Sequence, residues 1–480
     1  MRIVMLTDDA QIDRRILQEA ESLIGRGHEV ILFADPLDGS PEHEIIGNVK
    51  VHRVPPGGAP RMQMVLASFH EKLVRRLNAL SLWTQAVFAR VLLKLEAKRG
   101  GVIRRFKADL LKPILAMLRL LLRLSLFCIT RTATLSHKST TYLGRASSRF
   151  GFRPPREATI LREIRFHRAD LVHAHDYPQM RLAVAAKDLL KIPAIYDAHE
   201  LYPEINTLTP EQSKRIAKTE RRLAPRFDGT ITVNPYIAKE MAHRYAIPEP
   251  TVIVNAVDPP TGFEPGVHNR RFHQKLGLPP EERVLLFQGW MSATRGLATL
   301  IRGFAACEIG RLRLVLMGYG DERDNLQTLA DELGITDRVH ILDPVPQDEL
   351  IWWTGSADAG AIPYPPVDLN NRLCSPNKLF EFVQARLPII ANDLPFLRDV
   401  VGGRGIGVLA DLESPEGVAG AIHSMFEDKG GQTRFHAPLL AAAPELSWKA
   451  EQRHLFEVYR RVLGDAASPE PKLDAEPALA

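Results

Sequence analysis

The chain is poor in cysteine. Three occur in 480 residues, Cys128, Cys307 and Cys374, far apart and without a CxxC pair. That excludes a disulfide scaffold and a cysteine zinc site and points to a reducing compartment. The three-glycine dinucleotide fingerprint is missing too. No early strand leads into it, and the GxG of MGYGDER (317–323) carries Arg323 where the third glycine would stand, which disfavours a nicotinamide dehydrogenase. No helix-turn-helix, zinc-finger or RNP-like pattern is present, so nucleic acid is not an expected partner. The most apolar stretch, 110–129, is interrupted by Lys112, Arg119 and Arg123. A basic side chain near the bilayer centre costs about 2.5–3.5 kcal/mol on insertion scales, so a spanning helix is disfavoured. The apolar run in RIVMLTDD is too short for a signal-peptide core and reads as a first strand.

What is present is the usual globular mix, 45% apolar and 25% charged residues, with length for two or three domains. The charge is unevenly placed. The total is +5, but residues 56–157 hold 20 Lys/Arg and 4 Asp/Glu, leaving the remainder at −11. This basic segment is Leu-rich with helical spacing, at Phe69, Leu73, Leu77 and Leu80 and again at Trp83, Val87, Val91 and Leu95. Arg119 and Arg123 stand one turn apart, which suits a helix lying in a membrane interface, where each basic side chain gains about 1 kcal/mol near an anionic surface. The alternative is a helical insertion packed on the protein with its charges solvated.

Short β-branched or Leu-rich runs alternate with helical stretches, the mark of α/β architecture with parallel sheets. Strands are expected at 2–6, 28–34, 170–175, 193–199 and 229–233, with helices such as 14–25 and 178–190 between them. A second series follows at 283–289, 313–318, 338–342, 359–363 and 387–392. The Pro- and Gly-rich stretch 258–280 separates the two. Two doubly wound domains, 1–257 and 270–444, are expected to face across a cleft, with ligands beyond the carboxyl ends of the strands. An amphipathic last helix (445–463) and a disordered tail (464–480) complete the chain.

Four motifs bear on chemistry. Ser375-Pro376-Asn377-Lys378 reads as a helix start, with Ser as N-cap and Pro at the first turn. Its free N–H groups and the Lys378 charge suit a diphosphate, and Glu381, one turn deeper, suits a ribose diol. An ordinary capped surface helix with an i,i+3 ion pair is the alternative. In FQGWMSATRG (287–296) a strand ends at Gly289, and Arg295-Gly296 opens a helix where the guanidinium can grip a phosphate. Gly318 and Gly320 form a tight turn after a further strand. His173 and His175 end one strand and His199 another. HxH could bind a metal, but no third ligand apart from Asp176 is evident, so no metal site is expected.

In order and spacing these motifs resemble the retaining glycosyltransferases of family 4 (group 1), which have the GT-B fold. The resemblance covers roughly 1–55 and 165–463. It is carried by IDRRILQEAESLIGRGHEVILFA (12–34), DLVHAHD (170–176), the Arg-Gly loop, MGYGDER, SPNKLFEF, LPIIAND (387–393) and the final helix SWKAEQRHLFEVYRRVL (447–463), which resembles the terminal helix that crosses back to the first domain. The basic segment 56–157 falls outside it and reads as an insertion. The resemblance implies that Arg295 and Lys378 meet the donor diphosphate, with Ser375, Pro376 and Asn377 at the helix end and Gly289, Gly318 and Gly320 in the donor loops. It further implies that Glu381 holds the ribose, His175 lies near the transferred sugar, and Asp13, Arg14 and His199 border the acceptor side. Two positions depart from the pattern. Leu373 stands where the first glutamate of a pair is usual, and Trp290 where an arginine is usual; Asn370 or Asn371 could hold sugar hydroxyls instead.

The expectation is a retaining, metal-independent glycosyltransferase without a cofactor. Its donor would be a nucleotide-diphosphate sugar and its acceptor a glycan or lipid-linked hydroxyl compound, in lipid-linked glycan or surface polysaccharide synthesis. It would be cytoplasmic, peripheral on the inner face of the cytoplasmic membrane, with 60–156 on the anionic surface. A non-catalytic sugar-nucleotide or membrane-binding module and a GT-B-type nucleotide-sugar epimerase are the alternatives.

Overall fold

The computed structural model describes residues 1–55, 155–427 and 431–464. The core of the basic segment, including 110–129, and the tail after residue 464 lie outside the described residues. Met1–Ala34, Gly39–His52 and His167–Ala480 form one compact unit. Asp35–Asp38 and Arg53–Phe166 form a second, in which the helix Pro155–Phe166 is described and Arg156 pairs with Asp35 and donates to the Val54 carbonyl at 3.1 Å.

Within the large unit there are two sheets. The first contains β1 (Arg2–Leu6), β2 (Glu29–Ala34), β3 (His43–Ile46), β4 (Val49–Arg53), β5 (Leu171–His175), β6 (Ala194–Ala198), β7 (Gly229–Thr232) and β8 (Thr251–Val252), in the order β3-β4-β2-β1-β5-β6-β7-β8. β3 and β4 pair antiparallel as an edge hairpin, and β1, β2, β5, β6, β7 and β8 pair parallel. The second contains β9 (Arg283–Gln288), β10 (Leu312–Met317), β11 (Val339–Leu342), β12 (Ala359–Ile362), β13 (Ile389–Asn392) and β14 (Gly407–Ala410), in the order β11-β10-β9-β12-β13-β14 with parallel pairing. The central strands are near-continuous Val, Ile and Leu because helices cover both faces: VLLF (284–287) and LVLM (314–317) are fully buried.

The strand order reverses between β1 and β5 in the first sheet and between β9 and β12 in the second. Such switch points open a crevice at the carboxyl ends of the strands. The two crevices carry Asp13 and Asp176 on one side and Gly289 and Tyr364 on the other. The helix Trp448–Leu463 packs back on the first sheet. Trp448, Leu455 and Tyr459 recur at helical spacing, are buried with Ile3, Leu171 and Ile231, and Trp448 Nε1 donates to Ser22 Oγ at 2.8 Å.

Three elements are absent from the sequence expectation: the β3–β4 hairpin, β8 and β14. Ile45 is 72% exposed, so the hairpin has no buried alternating face to betray it. β8 has two residues, and GVLA in β14 is too short for a period.

Candidate active site in the cleft

The helix Asn377–Gln384 is exposed at Asn377 and buried from Lys378 to Gln384. Its start differs from expectation. Pro376 takes the cap position in an extended conformation, and Ser375 does not cap the helix. The Ser375 hydroxyl is instead buried without a hydrogen-bond partner. Lys378 is 5% exposed. Its amine lies 2.6 Å from the Tyr364 hydroxyl and 3.9 Å from the centre of the Phe287 ring. Arg295 ends a short turn, Ala293–Arg295, and lays its guanidinium 4.2 Å over the other aromatic wall, Tyr364, with its Nε buried and unpartnered. Gly296 follows at φ 71°, and a Cβ there would meet the Pro363 carbonyl oxygen at 2.1 Å, so only glycine lets the loop approach β12 so closely. Burial, then the neighbouring Arg295 charge, pushes the Lys378 amine well below its ordinary pKa.

Gly289 and Gly318 line the opposite wall with backbone, and Gly320 supports it from behind. A Cβ on Gly318 would lie 2.0 Å from the Gly289 carbonyl oxygen, so the two strand-end loops touch main chain to main chain. Arg323, where a third glycine was wanting, bonds the carbonyls of Gly318 and Leu342 and so braces the loop. Trp290 and Tyr319 meet edge to face at 5.0 Å and are about half exposed at the cleft.

On the first-sheet side, Asp176 opens the helix Asp176–Leu190 with φ 60°, a left-handed conformation that is strained for a non-glycine residue. That conformation lets its carboxylate accept from the His199 N–H at 2.9 Å while lying 3.5 Å from the same imidazole. Asp197 approaches the other nitrogen of His199 at 3.6 Å. Burial opposes the charge, but the two carboxylates outweigh it and hold the His199 pKa up to about 10. His175 lies behind His199, its Nδ1 3.3 Å from His199 Nε2, and is 1% exposed. Burial, then His173, keeps it neutral.

Below lies a buried cluster in which Glu19, His173, His175 and Asp197 bring ligand-type atoms within 4.8 Å of one another. Nothing in the local pattern marks Glu19 or Asp197 as partners of the HxH pair. Arg15 pairs with both carboxylates at 3.0 Å. The donor set therefore already surrounds a guanidinium, and it does not fit a metal ion without displacing that charge.

A cavity of about 540 Å³ spans the cleft. It is lined by Asp13, His199, Gly289, Arg295, Gly318, Asn371, Ser375, Pro376, Asn377, Lys378 and Glu381 among the expected residues. His175, Arg14 and Gly320 do not line it. His175 touches it through His199, and Arg14 reaches over to Glu381. Asp13 also caps the Arg14–Gly25 helix, accepting from the Arg15 N–H. Bonds cross the cleft at several points. Asn234 donates to the Leu373 carbonyl at 2.7 Å, Asn370 donates to Glu200 at 2.7 Å and accepts from the Leu201 N–H, and Asn255 donates to Asn377 at 2.7 Å. The Leu373 side chain packs on the apolar cluster containing Tyr196 and Leu201, so it makes an interdomain contact where a glutamate would have held a polar ligand.

The family model described as Glycosyltransferase Family 4 matches residues 116–260, and that described as Glycosyl transferases group 1 matches 268–437. Together they cover more than half of the chain, in two consecutive segments. The chain belongs to the family 4, group 1 glycosyltransferases. Similar proteins include D-inositol 3-phosphate glycosyltransferases. That of Corynebacterium glutamicum (strain R) is 26% identical over 62% of this chain and 73% of its own length, and that of Thermobispora bispora 27% identical over 62% and 71%. Among solved structures, sucrose-phosphate synthase from Thermosynechococcus elongatus superposes with a TM-score of 0.61 at 16% identity, covering 96% of this chain and 98% of that one. HepE from Anabaena, solved with UDP and glucose, superposes with a TM-score of 0.61 at 14% identity, covering 96% and 99%. The fold is GT-B.

In this glycosyltransferase, residue-by-residue reading of the sequence missed Tyr364, Gln288 and Asn255. Tyr364 and Gln288 sit at the carboxyl ends of β12 and β9, on either side of the switch point, and the topology rule alone would have flagged both. Asn255 carries no such signal. It is oriented by Arg15, which donates to its Oδ1 at 3.1 Å. Among the described residues no helix is long and apolar enough to cross a membrane.

Proposed function

We propose that this glycosyltransferase takes its sugar from a nucleoside-diphosphate sugar and transfers it to a hydroxyl acceptor with retention of anomeric configuration. One observation carries the reading. Arg295 Nε and Ser375 Oγ are buried, unpartnered donors beside Lys378 at a helix start. Buried polar groups are rarely left unsatisfied, and a guanidinium and a hydroxyl with free donors beside a lysine suit a diphosphate. The two nucleotide complexes of the similar fold, HepE with UDP and with UDP and glucose, support the choice of ligand class.

Breaking the bond from the anomeric carbon to the phosphate oxygen leaves the electron pair on the diphosphate. Arg295, Lys378 and the helix N–H groups stabilise that charge. The acceptor oxygen bonds to the anomeric carbon on the face the phosphate leaves, and its proton passes to the departing phosphate oxygen. Glu381 accepts from the ribose diol, and Asn371, 8% exposed at the cleft, holds sugar hydroxyls in place of the carboxylate that Leu373 cannot offer. The reading needs neither a cofactor nor a metal ion, because protein cations supply the charge. Asp13, Glu200 and His199 face the acceptor.

The acceptor is a glycan or lipid-linked hydroxyl compound at an anionic membrane surface, on the inner face of the cytoplasmic membrane. The support is the excess of 16 positive charges in 56–157. Turnover of a nucleotide-sugar panel by wild type, Arg295→Ala and Lys378→Ala tests the site, and equal turnover in all three chains counts against it. Flotation of wild type and a 60–156 deletion with phosphatidylglycerol vesicles tests the membrane setting; unaltered binding removes it.

A further inference from the structure

Two cations share one aromatic ring in the donor cradle. The Arg295 guanidinium lies 4.2 Å and the Lys378 amine 4.6 Å from the centre of Tyr364, and the amine also lies over Phe287. Neither cation is in a salt bridge among the described residues. The other groups facing the amine are Arg295, Glu381 and Cys374. Glu381 is turned away to Arg14 and Gln288, at 2.8 and 2.5 Å. Burial, opposed in part by Arg295, keeps the Cys374 thiol protonated, its pKa pushed up to about 12. No contacting carboxylate therefore balances the two positive charges on one ring, the buried Lys378 amine and the half-buried Arg295 guanidinium. Arginine does not give up its proton, so the adjustment falls on Lys378. Burial together with the Arg295 charge acts in that direction. The remaining polar contact of the amine is the Tyr364 hydroxyl at 2.6 Å, on a side chain that is 6% exposed.

We propose that Tyr364 is a positioning residue that holds the Lys378 amine uncharged until a diphosphate binds, donating its O–H to the nitrogen lone pair, and that arrival of the diphosphate draws one proton from solvent onto that amine. The inference rests on the donor reading above and deepens it. Donor capture is a proton-coupled step, and the second catalytic cation is created by the ligand it stabilises. The proton comes from water or buffer and binds the amine nitrogen; no other bond changes. The phenol then turns from donor to acceptor of the new ammonium, which keeps the nitrogen in the place where the leaving phosphate needs it.

The test is calorimetry of UDP, GDP and ADP binding to the full chain, in buffers of matched pH and different ionisation enthalpy. UDP, GDP and ADP are fully ionised above about pH 7.5, so a proton taken up there belongs to the protein. Wild type should take up close to one proton, with affinity falling roughly tenfold per pH unit where the free amine is neutral. Lys378→Met should bind more weakly, with no uptake and a flat profile. Tyr364→Phe keeps the ring under both cations but loses the O–H, so the neutral amine is less well held and the decline should begin at higher pH. Binding by wild type without proton uptake would overturn the proposal and leave the donor reading standing, as would a Tyr364→Phe profile superimposed on wild type. Failure of all three nucleotides to bind would overturn both.

Discussion

Arg14 donates to Glu381 at 2.8 Å across the cleft, joining the first residue of one domain's first helix to the glutamate one turn inside the other domain's central helix. Glu381 is 7% exposed at its side chain and Arg14 20%, so the pair is shielded. A charge-assisted bond of this kind is worth about 1.5–3 kcal/mol. The glutamate assigned to the ribose is therefore already partnered by Arg14.

If the ribose diol displaces Arg14, Arg14→Ala should bind UDP at least as tightly as wild type, up to about tenfold more tightly, because the competing partner is gone. Glu381→Ala should bind about ten- to a hundredfold more weakly by the same arithmetic. Calorimetric dissociation constants check both. Clearly weaker binding by Arg14→Ala would mean that the pair supports the donor pose rather than competing with it.

Removing either protein cation should damage the chemistry more than the binding. Arg295→Ala and Lys378→Met are each expected to lower kcat by about 10²–10³, measured as nucleoside diphosphate release from a turned-over nucleotide sugar. Activity should persist after exhaustive treatment with EDTA, since the cradle carries its own cations. Loss on chelation with recovery on adding magnesium would contradict that assignment.

Backbone contact between the donor loops makes a sharp prediction for glycine. A Cβ on Gly318 would land 2.0 Å from the Gly289 carbonyl, and one on Gly320 2.1 Å from that of Met291. Gly318→Ala should cost about 1–3 kcal/mol, the range for forced overpacking, and should weaken nucleotide binding as the loops part. Denaturant melts and UDP titration report the two effects separately.

His173 is fully buried against Tyr459, at 2.9 Å, and burial pushes its pKa down to about 4. In the unfolded chain it titrates near 6.5, so between the two values the unfolded state holds more protons. Its contribution is then present above the unfolded value and lost as pH falls. Relative to His173→Phe, wild type should lose on the order of 2 kcal/mol between about pH 6.5 and 5. Parallel stability curves for the two chains would show that His173 does not remain neutral in the fold.

Much of this architecture was legible in the chain because buried parallel strands leave near-continuous apolar runs: all ten strands expected from those runs are present. The β3–β4 hairpin was not, since His43–Ile46 buries no face, and its pairing is fixed by tertiary position. In the cradle, Lys378, Arg295 and Glu381 could be named because a helix start and a strand-to-helix loop have local signatures. Tyr364 could not, because what sets its role is the two cations over its ring, brought there from 69 and 14 residues away in the chain. Leu373 and the His175–His199 contact have the same origin: each takes its meaning from a contact made across the cleft or behind it.

The most direct measurement is a crystal structure of the chain with UDP and an unreactive sugar-nucleotide analogue in the cleft. The account predicts the diphosphate within about 3 Å of Lys378 Nζ, Arg295 Nε and Ser375 Oγ, at the start of the Asn377–Gln384 helix. A diphosphate seated elsewhere in the cleft, with those three donors making no bond to it, would contradict it.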